Sequence, residues 1–336
     1  MNKVCVLGAG SWATALAKVL NDNANEVILW ARRQEQCDEI NNSHTNNKYL
    51  EGFELDEKLK ATTDIAEAIA DSKVIVLAVP SQQVRSVCQK IKSLVSSDQI
   101  VVNVAKGIEN KTGKRISQIC LEELPNNKYC MLSGPSHAEE VSRNIPTAVV
   151  AASECIDTSQ TIQDYFMNKY FRVYTNNDLI GVELGGATKN IIAFGAGILD
   201  GLNYGDNSKA ALMTRGLTEI SKFGVAMGAE LSTFSGLSGI GDLIVTCTSM
   251  HSRNRRAGIL VGKGLSIDET KKEIEMVVEG ITATIAVYEM AEKMNIEMPI
   301  TECIYRVITT DLNPEEGVME LMTRSKKHEN ESIFKL

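Results

Sequence analysis

The segment Val4-Cys5-Val6-Leu7-Gly8-Ala9-Gly10-Ser11-Trp12-Ala13 constrains this chain more than any other. A β-type run, Lys3–Leu7, enters G-x-G-x-x-A, and an amphipathic helical run over 11–23 follows. In that setting Gly8 permits the tight turn, Gly10 lets the backbone approach a pyrophosphate, and the small Ala13 lets the helix pack on the strand. The helix start then offers N–H groups and the positive end of its dipole to an anion. Alone the motif is weak, because G-x-G-x-x-A also occurs as an incidental turn. A strand before it, a helix after it and a second strand at Glu26–Trp30 make it a dinucleotide fingerprint.

The same alternation continues through the first half. Helical runs at 33–41, 81–95 and 113–124 alternate with β-type runs at 73–79, 100–104, 129–132 and 148–152, which implies a parallel sheet covered on both faces. The runs at 73–79 and 100–104 are almost continuously apolar, so they belong centrally in that sheet. After about residue 180 the β-branched runs largely disappear. A helix of small residues is expected over 181–201, with Gly185, Gly186, Ala187, Ala193 and Ala196 allowing close backbone packing. Further helices fit 210–227, Arg253–Gly262, 267–272, 282–293, 300–308 and Pro314–Met322, and the last residues, rich in Lys, Glu and Asn, are expected to fray. The expected fold is α/β: a Rossmann-type doubly wound, mainly parallel sheet over residues 1–180, then an all-α domain over 181–336. Two domains also suit the 336 residues, which exceed what one core usually organises.

A net charge of −8 gives no overall positive field to collect nucleic acid or an anionic membrane surface. No segment approaches the roughly 20 apolar residues of a membrane span, and the start of the chain lacks a signal-peptide core, so the expected location is the cytoplasm. The eight cysteines are scattered with no Cys-x-x-Cys pair, and the four histidines lack ligand spacing. Reduced, mostly buried thiols and no metal are expected.

Candidate binding residues follow from position. Arg32 and Arg33 stand past the second strand, where an NAD-specific site usually has a carboxylate for the ribose. They either bind a 2′-phosphate, which favours NADP(H) over NAD(H), or form a solvated helix start. Ligands of open α/β sheets gather beyond the carboxyl ends of the strands. Lys106-Gly107 and Ser133-Gly134-Pro135-Ser136 lie there. Lys106 is either an anion ligand or a surface charge; the second turn either meets a ligand or starts a helix at Ser136, with Glu139 at capping-box spacing. Lys189 shares a helix face with Ile192, Ala193 and Ala196, so it must be paired or reach a cavity. Asn190 either orients a substrate or bonds between helices. Ser252 suits an N-cap, and Arg253 with Asn254 would present charge and donors to a phosphate monoester or to solvent.

Taken in series, Gly8-Ala-Gly-Ser-Trp, Val104-Ala-Lys-Gly, Ser133-Gly-Pro-Ser, Glu183-Leu-Gly-Gly-Ala-Thr-Lys-Asn, Ser238-Gly-Ile-Gly-Asp-Leu, Thr246-Cys-Thr-Ser, Ser252-Arg-Asn-Arg-Arg and Val277-Val-Glu-Gly resemble the bacterial NAD(P)-dependent glycerol-3-phosphate dehydrogenases. The resemblance implies reversible reduction of dihydroxyacetone phosphate to glycerol 3-phosphate, for glycerophospholipid synthesis, by a homodimer. It implies Lys189 as the proton-transfer residue, with Lys106 and Asp242 assisting, and substrate contacts from Lys106, Gly134, Ser136, Lys189, Asn190, Asp242, Ser252, Arg253 and Asn254. Cofactor contacts are implied for Gly8, Gly10, Ser11, Trp12, Arg32, Arg33, Lys106, Ala138, Arg253, Val277 and Glu279. Departures from the family pattern are few: Ala13 replaces a glycine, His137 a phenylalanine and Thr188 an aliphatic residue. A β-hydroxyacid or 6-phosphogluconate-type dehydrogenase shares the fingerprint and a lysine-asparagine pair, but its substrates carry a carboxylate. A nucleotide-sensing regulator would have no need of Lys106, Lys189 and Asp242 together.

Overall fold

The computed structural model describes residues 2–274, 276–310 and 312–329. The chain divides after Gly186 into two compact units, and the division falls inside a helix that begins shortly before it. The first unit carries, in order, β1 (Lys3–Leu7), α1 (Ser11–Asp22), β2 (Glu26–Trp30), α2 (Gln34–Asp38), β3 (Thr45–Asn46), β4 (Leu50–Glu54), β5 (Lys60–Thr62) and α3 (Ile65–Ile69). It continues through β6 (Val74–Leu77), α4 (Val84–Ile91), β7 (Ile100–Asn103), α5 (Ile116–Glu123), β8 (Lys128–Ser133), α6 (Ala138–Ser142), β9 (Thr147–Ala152), α7 (Ile156–Phe166) and β10 (Phe171–Asn176).

Eight strands form one sheet in the order β10-β9-β8-β7-β6-β1-β2-β5, parallel except where β8 meets β9. The expected mainly parallel sheet is present, with β6 and β7 at its centre. Its strands are apolar on both sides because each side has its own core. Val4, Val6, Val74, Val76 and Val102 point into one core, whereas Cys5, Leu7, Ile75, Leu77 and Val101 point into the other. Strand order reverses at β1, which lies between β2 and β6, and this is where such sheets open a crevice for ligands. Gly8 follows directly. Its φ of +124° and the carbonyl of Ala78, 2.4 Å from where a Cβ would sit, leave room for no other residue.

The second unit is helical, and among its described residues there is no strand. A long helix, α8 (Leu179–Gly201), enters it and is followed by α9 (Asp206–Ala226), α10 (Asp242–Thr248), α11 (Arg253–Gly262), α12 (Ile267–Ile274), α13 (Glu279–Lys293), α14 (Pro299–Thr309) and α15 (Pro314–Met322). The close packing expected of α8 is present at Gly186, where a Cβ would lie 3.0 Å from the Ser133 hydroxyl, and is tightest at glycines further along than those singled out from the sequence. A Cβ at Gly197 would lie 2.0 Å from the carbonyl of Arg255, and one at Gly258 would lie 2.0 Å from that of Phe194. The two helices therefore touch backbone to backbone. Among the described residues no helix is long and apolar enough to cross a membrane. Six of the eight cysteines are buried, and all are free thiols. The fraying expected at the carboxyl end falls partly on residues 330–336, outside the described residues.

One buried acid organises the helical unit. Glu219, on α9, accepts hydrogen bonds from the backbone N–H of Ile300 (2.7 Å) and Thr301 (3.1 Å) and from the Thr301 hydroxyl (3.2 Å). It thereby caps α14, whose own N-cap, Met298, has no side-chain acceptor. Burial pushes the Glu219 carboxyl from 4.5 up to about 7, against the pull of its three donors. Between those values the folded chain holds a proton that the unfolded chain releases, so this group's contribution to stability falls as pH rises from 4.5 to about 7. Glu219→Gln is expected to show a shallower decline of unfolding free energy across that window than the parent, measured by denaturant titration at several pH values.

Candidate active site

The first unit presents two groups of predicted residues. At the turn after β1, Gly8 donates from its backbone N–H to the carbonyl of Trp30 (3.0 Å), tying the turn to the end of β2. Gly10 is the N-cap of α1 and brings no side-chain acceptor, and a Cβ built on it meets nothing within 4 Å. An open approach to uncapped helix N–H groups fits the pyrophosphate of a dinucleotide. Ser11 anchors the helix start by donating to the carbonyl of Tyr49 (2.6 Å), Trp12 packs partly against the core, and Ala13 is buried. Arg32 and Arg33 are exposed just past β2, and neither forms an ion pair among the described residues. Arg33 reaches only the side-chain carbonyl of Gln36, at 3.5 Å.

Beyond β7 and β8 the structure brings Lys106, Gly134 and Ser136 together. The Lys106 ammonium (2.9 Å) and the Ser136 hydroxyl (2.9 Å) both donate to the carbonyl of Gly134. Gly134 has a φ of +133°, a conformation that favours glycine. Ser136 does not start the helix: α6 begins at the buried Ala138, behind His137.

In the second unit, Lys189 is only 5% exposed, and the requirement that it be paired is met. Its ammonium donates to Oδ1 of Asp242, itself 1% exposed, and to the hydroxyl of Thr246 (2.7 Å). Thr246 in turn donates to the backbone carbonyl of Asp242 (2.6 Å). Asp242 and Thr246 sit four apart on α10 and so share a face. Thr246 was missed as a site residue because the helix carrying it was not read from the sequence. Its signal, in retrospect, was the Asp-x-x-x-Thr spacing.

Asn190 bonds between helices, one of its two expected uses. Its side-chain carbonyl accepts from Asn254 (2.9 Å), and the Asn254 carbonyl accepts from the N–H of Gly280 (2.8 Å), fastening α8, α11 and α13 together. Ser252 is the expected N-cap of α11, accepting from the N–H of Arg255 (3.2 Å). The basic cluster divides in two. Arg255 is committed to Asp200 (2.7 Å) and the carbonyl of Thr248 (2.5 Å), while Lys209 also pairs with Asp200 (2.5 Å). Arg253, on the first turn of α11, has no ion pair among the described residues. Val277 is exposed, and Glu279 opens α13. No cluster of three or more metal-type ligands occurs among the described residues.

A dinucleotide-type turn at the switch point of a doubly wound sheet, and a helical unit with a buried lysine paired to an aspartate, define a nicotinamide-dependent oxidoreductase. The comparisons with known proteins are narrower. The N-terminal region of the NAD-dependent glycerol-3-phosphate dehydrogenase family matches residues 3–159, and its C-terminal region matches residues 178–319. Glycerol-3-phosphate dehydrogenase (NAD(P)+) of Thermoanaerobacter sp. (strain X514) is 54% identical, over 98% of this chain and 100% of its own. The corresponding protein of Clostridium perfringens (strain SM101) is 52% identical over 98% and 99%. The crystal structure of glycerol-3-phosphate dehydrogenase from Coxiella burnetii superposes with a TM-score of 0.93 at 38% identity, covering 96% of this chain and 99% of that one. The chain belongs to the NAD-dependent glycerol-3-phosphate dehydrogenase family.

The buried pair also yields a stability test. Removing one partner leaves an uncompensated charge in the interior, which costs roughly 3–5 kcal/mol. Asp242→Ala should therefore unfold at markedly lower denaturant than the parent, and Lys189→Met combined with Asp242→Ala should recover part of that loss in the same titration.

Proposed function

We propose that the protein reduces dihydroxyacetone phosphate reversibly to glycerol 3-phosphate, using NADPH in preference to NADH, and so supplies glycerophospholipid synthesis as a cytoplasmic homodimer. The observation that carries the reading is the buried Lys189–Asp242 pair, in a chain whose relatives at 52–54% identity are glycerol-3-phosphate dehydrogenases. The residues at the Gly8–Gly10 turn fit the pyrophosphate of the dinucleotide. When bound, the reduced nicotinamide supplies a hydride to the C2 carbonyl carbon of the substrate.

The chain's own residues do the rest. The Lys189 ammonium donates a proton to the carbonyl oxygen as negative charge develops on it, and in the reverse direction the neutral amine takes the hydroxyl proton. Asp242 and Thr246 hold that ammonium in one orientation. Arg253 and the Ser252-capped start of α11 hold the phosphate, and binding energy from this remote group aligns the reacting carbon. Asn190 and Asn254 carry over as substrate contacts that also lock the helices on which Lys189 and Arg253 sit. Lys106, Gly134 and Ser136 are the substrate contacts assigned to the first unit. Ser11, Trp12, Lys106, Ala138, Arg253, Val277 and Glu279 carry over as cofactor contacts.

Loss of reduced-cofactor absorbance with dihydroxyacetone phosphate tests the activity directly, and 2-keto or 3-keto carboxylates in its place test the β-hydroxyacid alternative. Lys189→Ala should lower kcat by about 10²- to 10⁴-fold, the usual worth of a positioned general acid, with cofactor affinity retained. Near-parental turnover in that variant would overturn the assignment. Exposed and without ion pairs among the described residues, Arg32 and Arg33 suit a 2′-phosphate. Replacing both by alanine should weaken NADPH by roughly 10- to 100-fold, the worth of a charge-assisted contact, and leave NADH nearly unchanged. Equal weakening of the two cofactors would refute the preference.

A further inference from the structure

Two buried amides outside the fingerprint touch its turn. Gln36, on α2, donates from Nε2 to the carbonyl of Ala9 (2.5 Å) and to Oδ1 of Asn46 (3.1 Å). Asn46, on the short strand β3, donates from Nδ2 to the same Ala9 carbonyl (3.0 Å) and to the hydroxyl of Thr14 (2.8 Å). Thr14 passes the contact on, donating to the carbonyl of Gly10 (3.0 Å). Gln36 is 8% exposed, and Asn46 and Thr14 are 1% and 0%. Burying three polar side chains is costly unless each is bonded, and here their bonds converge on two consecutive carbonyls of one turn.

The consequence follows from peptide planarity. In a trans peptide the C=O and the following N–H point in opposite directions, and there are no cis bonds among the described residues. Fixing the Ala9 carbonyl on the Gln36 and Asn46 amides therefore turns the Gly10 N–H away from them. Fixing the Gly10 carbonyl on Thr14 does the same for the N–H of Ser11. These are the donors at the start of α1 that a pyrophosphate would meet. A glycine-containing turn has many conformations to lose on binding, and the amides remove that freedom before the ligand arrives.

We propose that Asn46 and Gln36 are positioning residues for the cofactor's pyrophosphate, holding the Gly8–Gly10 turn in its anion-binding conformation without touching the cofactor. The proposal rests on the dinucleotide reading given under Proposed function. It adds a specific role for the β3–β4 segment, an insertion between β2 and β5 that forms its own antiparallel pair and supplies both Asn46 and the Tyr49 carbonyl that receives Ser11. Gln36 also accepts the weak contact from Arg33, so one side chain meets both the turn and a candidate 2′-phosphate ligand.

Calorimetric titration of the full chain with NADPH, NADH and ADP tests this, because all three carry the pyrophosphate. Asn46→Ala should weaken all three alike, by about 10-fold for two lost donors, while kcat at saturating cofactor and KM for dihydroxyacetone phosphate stay at parental values. Asn46→Asp keeps the volume but sets an acceptor against the Ala9 carbonyl, so it should bind no better than the alanine variant. A purely packing role predicts that the aspartate restores binding. Gln36→Met retains bulk and should weaken the same three ligands about 3-fold, which keeps the test open if the Asn46 variants do not fold. Folded variants that bind all three as the parent does would overturn the proposal, and so would a loss confined to NADPH, which places the effect at Arg33. A parental chain that binds none of the three would instead overturn the dinucleotide reading itself.

Discussion

An ammonium in a protein interior must be answered by a counter-charge, and in this chain that requirement links distant parts of the helical unit. Lys189 sits in the middle of a helix rich in apolar and small residues and is only 5% exposed, so its ammonium must be met by protein groups. The counter-charge, Asp242, lies on a short helix 53 residues on, and Thr246 completes the shell from the next turn. For α10 to deliver both groups, the glycine-rich stretch before it must turn the chain tightly, and Leu237–Gly241 does so through a kink at Gly239. The close glycine contact of α8 with α11 and the Asn190–Asn254 bond then bring the Ser252-capped helix start alongside the same helix. One charged side chain thus accounts for the aspartate and threonine set against this helix, while the asparagines fasten it to its neighbours.

What the sequence revealed depended on how far apart the interacting residues are. The turn at Gly8 and Gly10 needs only a strand, a helix and two glycines within ten residues, so its chemistry can be read locally. The central strands were equally legible, because burial on both faces leaves an unbroken apolar run. By contrast, β5 is three residues long, and β10, at the sheet's edge, alternates buried Phe171 and Val173 with exposed Arg172 and Tyr174. Neither carries a run long enough to stand out. The pairing of Lys189 was predictable as a necessity, but its partner was named only through the family pattern, since nothing local connects residues 189 and 242.

The basic segment at the start of α11 shows the same limit at finer grain. From sequence, Arg253 is singled out only by its place at the helix start, within a cluster that also holds Arg255 and Arg256. The structure separates them by what the fold demands. Arg255 is held by Asp200 from α8 and by the carbonyl of Thr248, and Lys209 from α9 joins the same aspartate. That arrangement spends two cations, Arg255 and Lys209, on holding four helices and leaves Arg253 outside it. A phosphate ligand needs a guanidinium that is fixed at its base but unpaired at its tip, and a helix N-cap whose neighbour is clamped supplies that condition.

The two units solve opposite electrostatic problems with different materials. In the proposed function the first must receive an anion, and the groups it offers are backbone N–H groups, which carry no net charge to desolvate and need only small residues and a fixed peptide orientation. The second must hold a proton-bearing cation in a dry interior, which requires charged and hydroxyl side chains at set distances. Backbone solutions leave glycines in the sequence as their trace, together with buried amides such as Asn46 and Gln36 that look unremarkable until the turn they serve is seen. Side-chain solutions leave scattered polar residues in apolar helices. A buried lysine in a small-residue helix signals from sequence only that a partner must exist, and that partner becomes readable only when the fold brings it there.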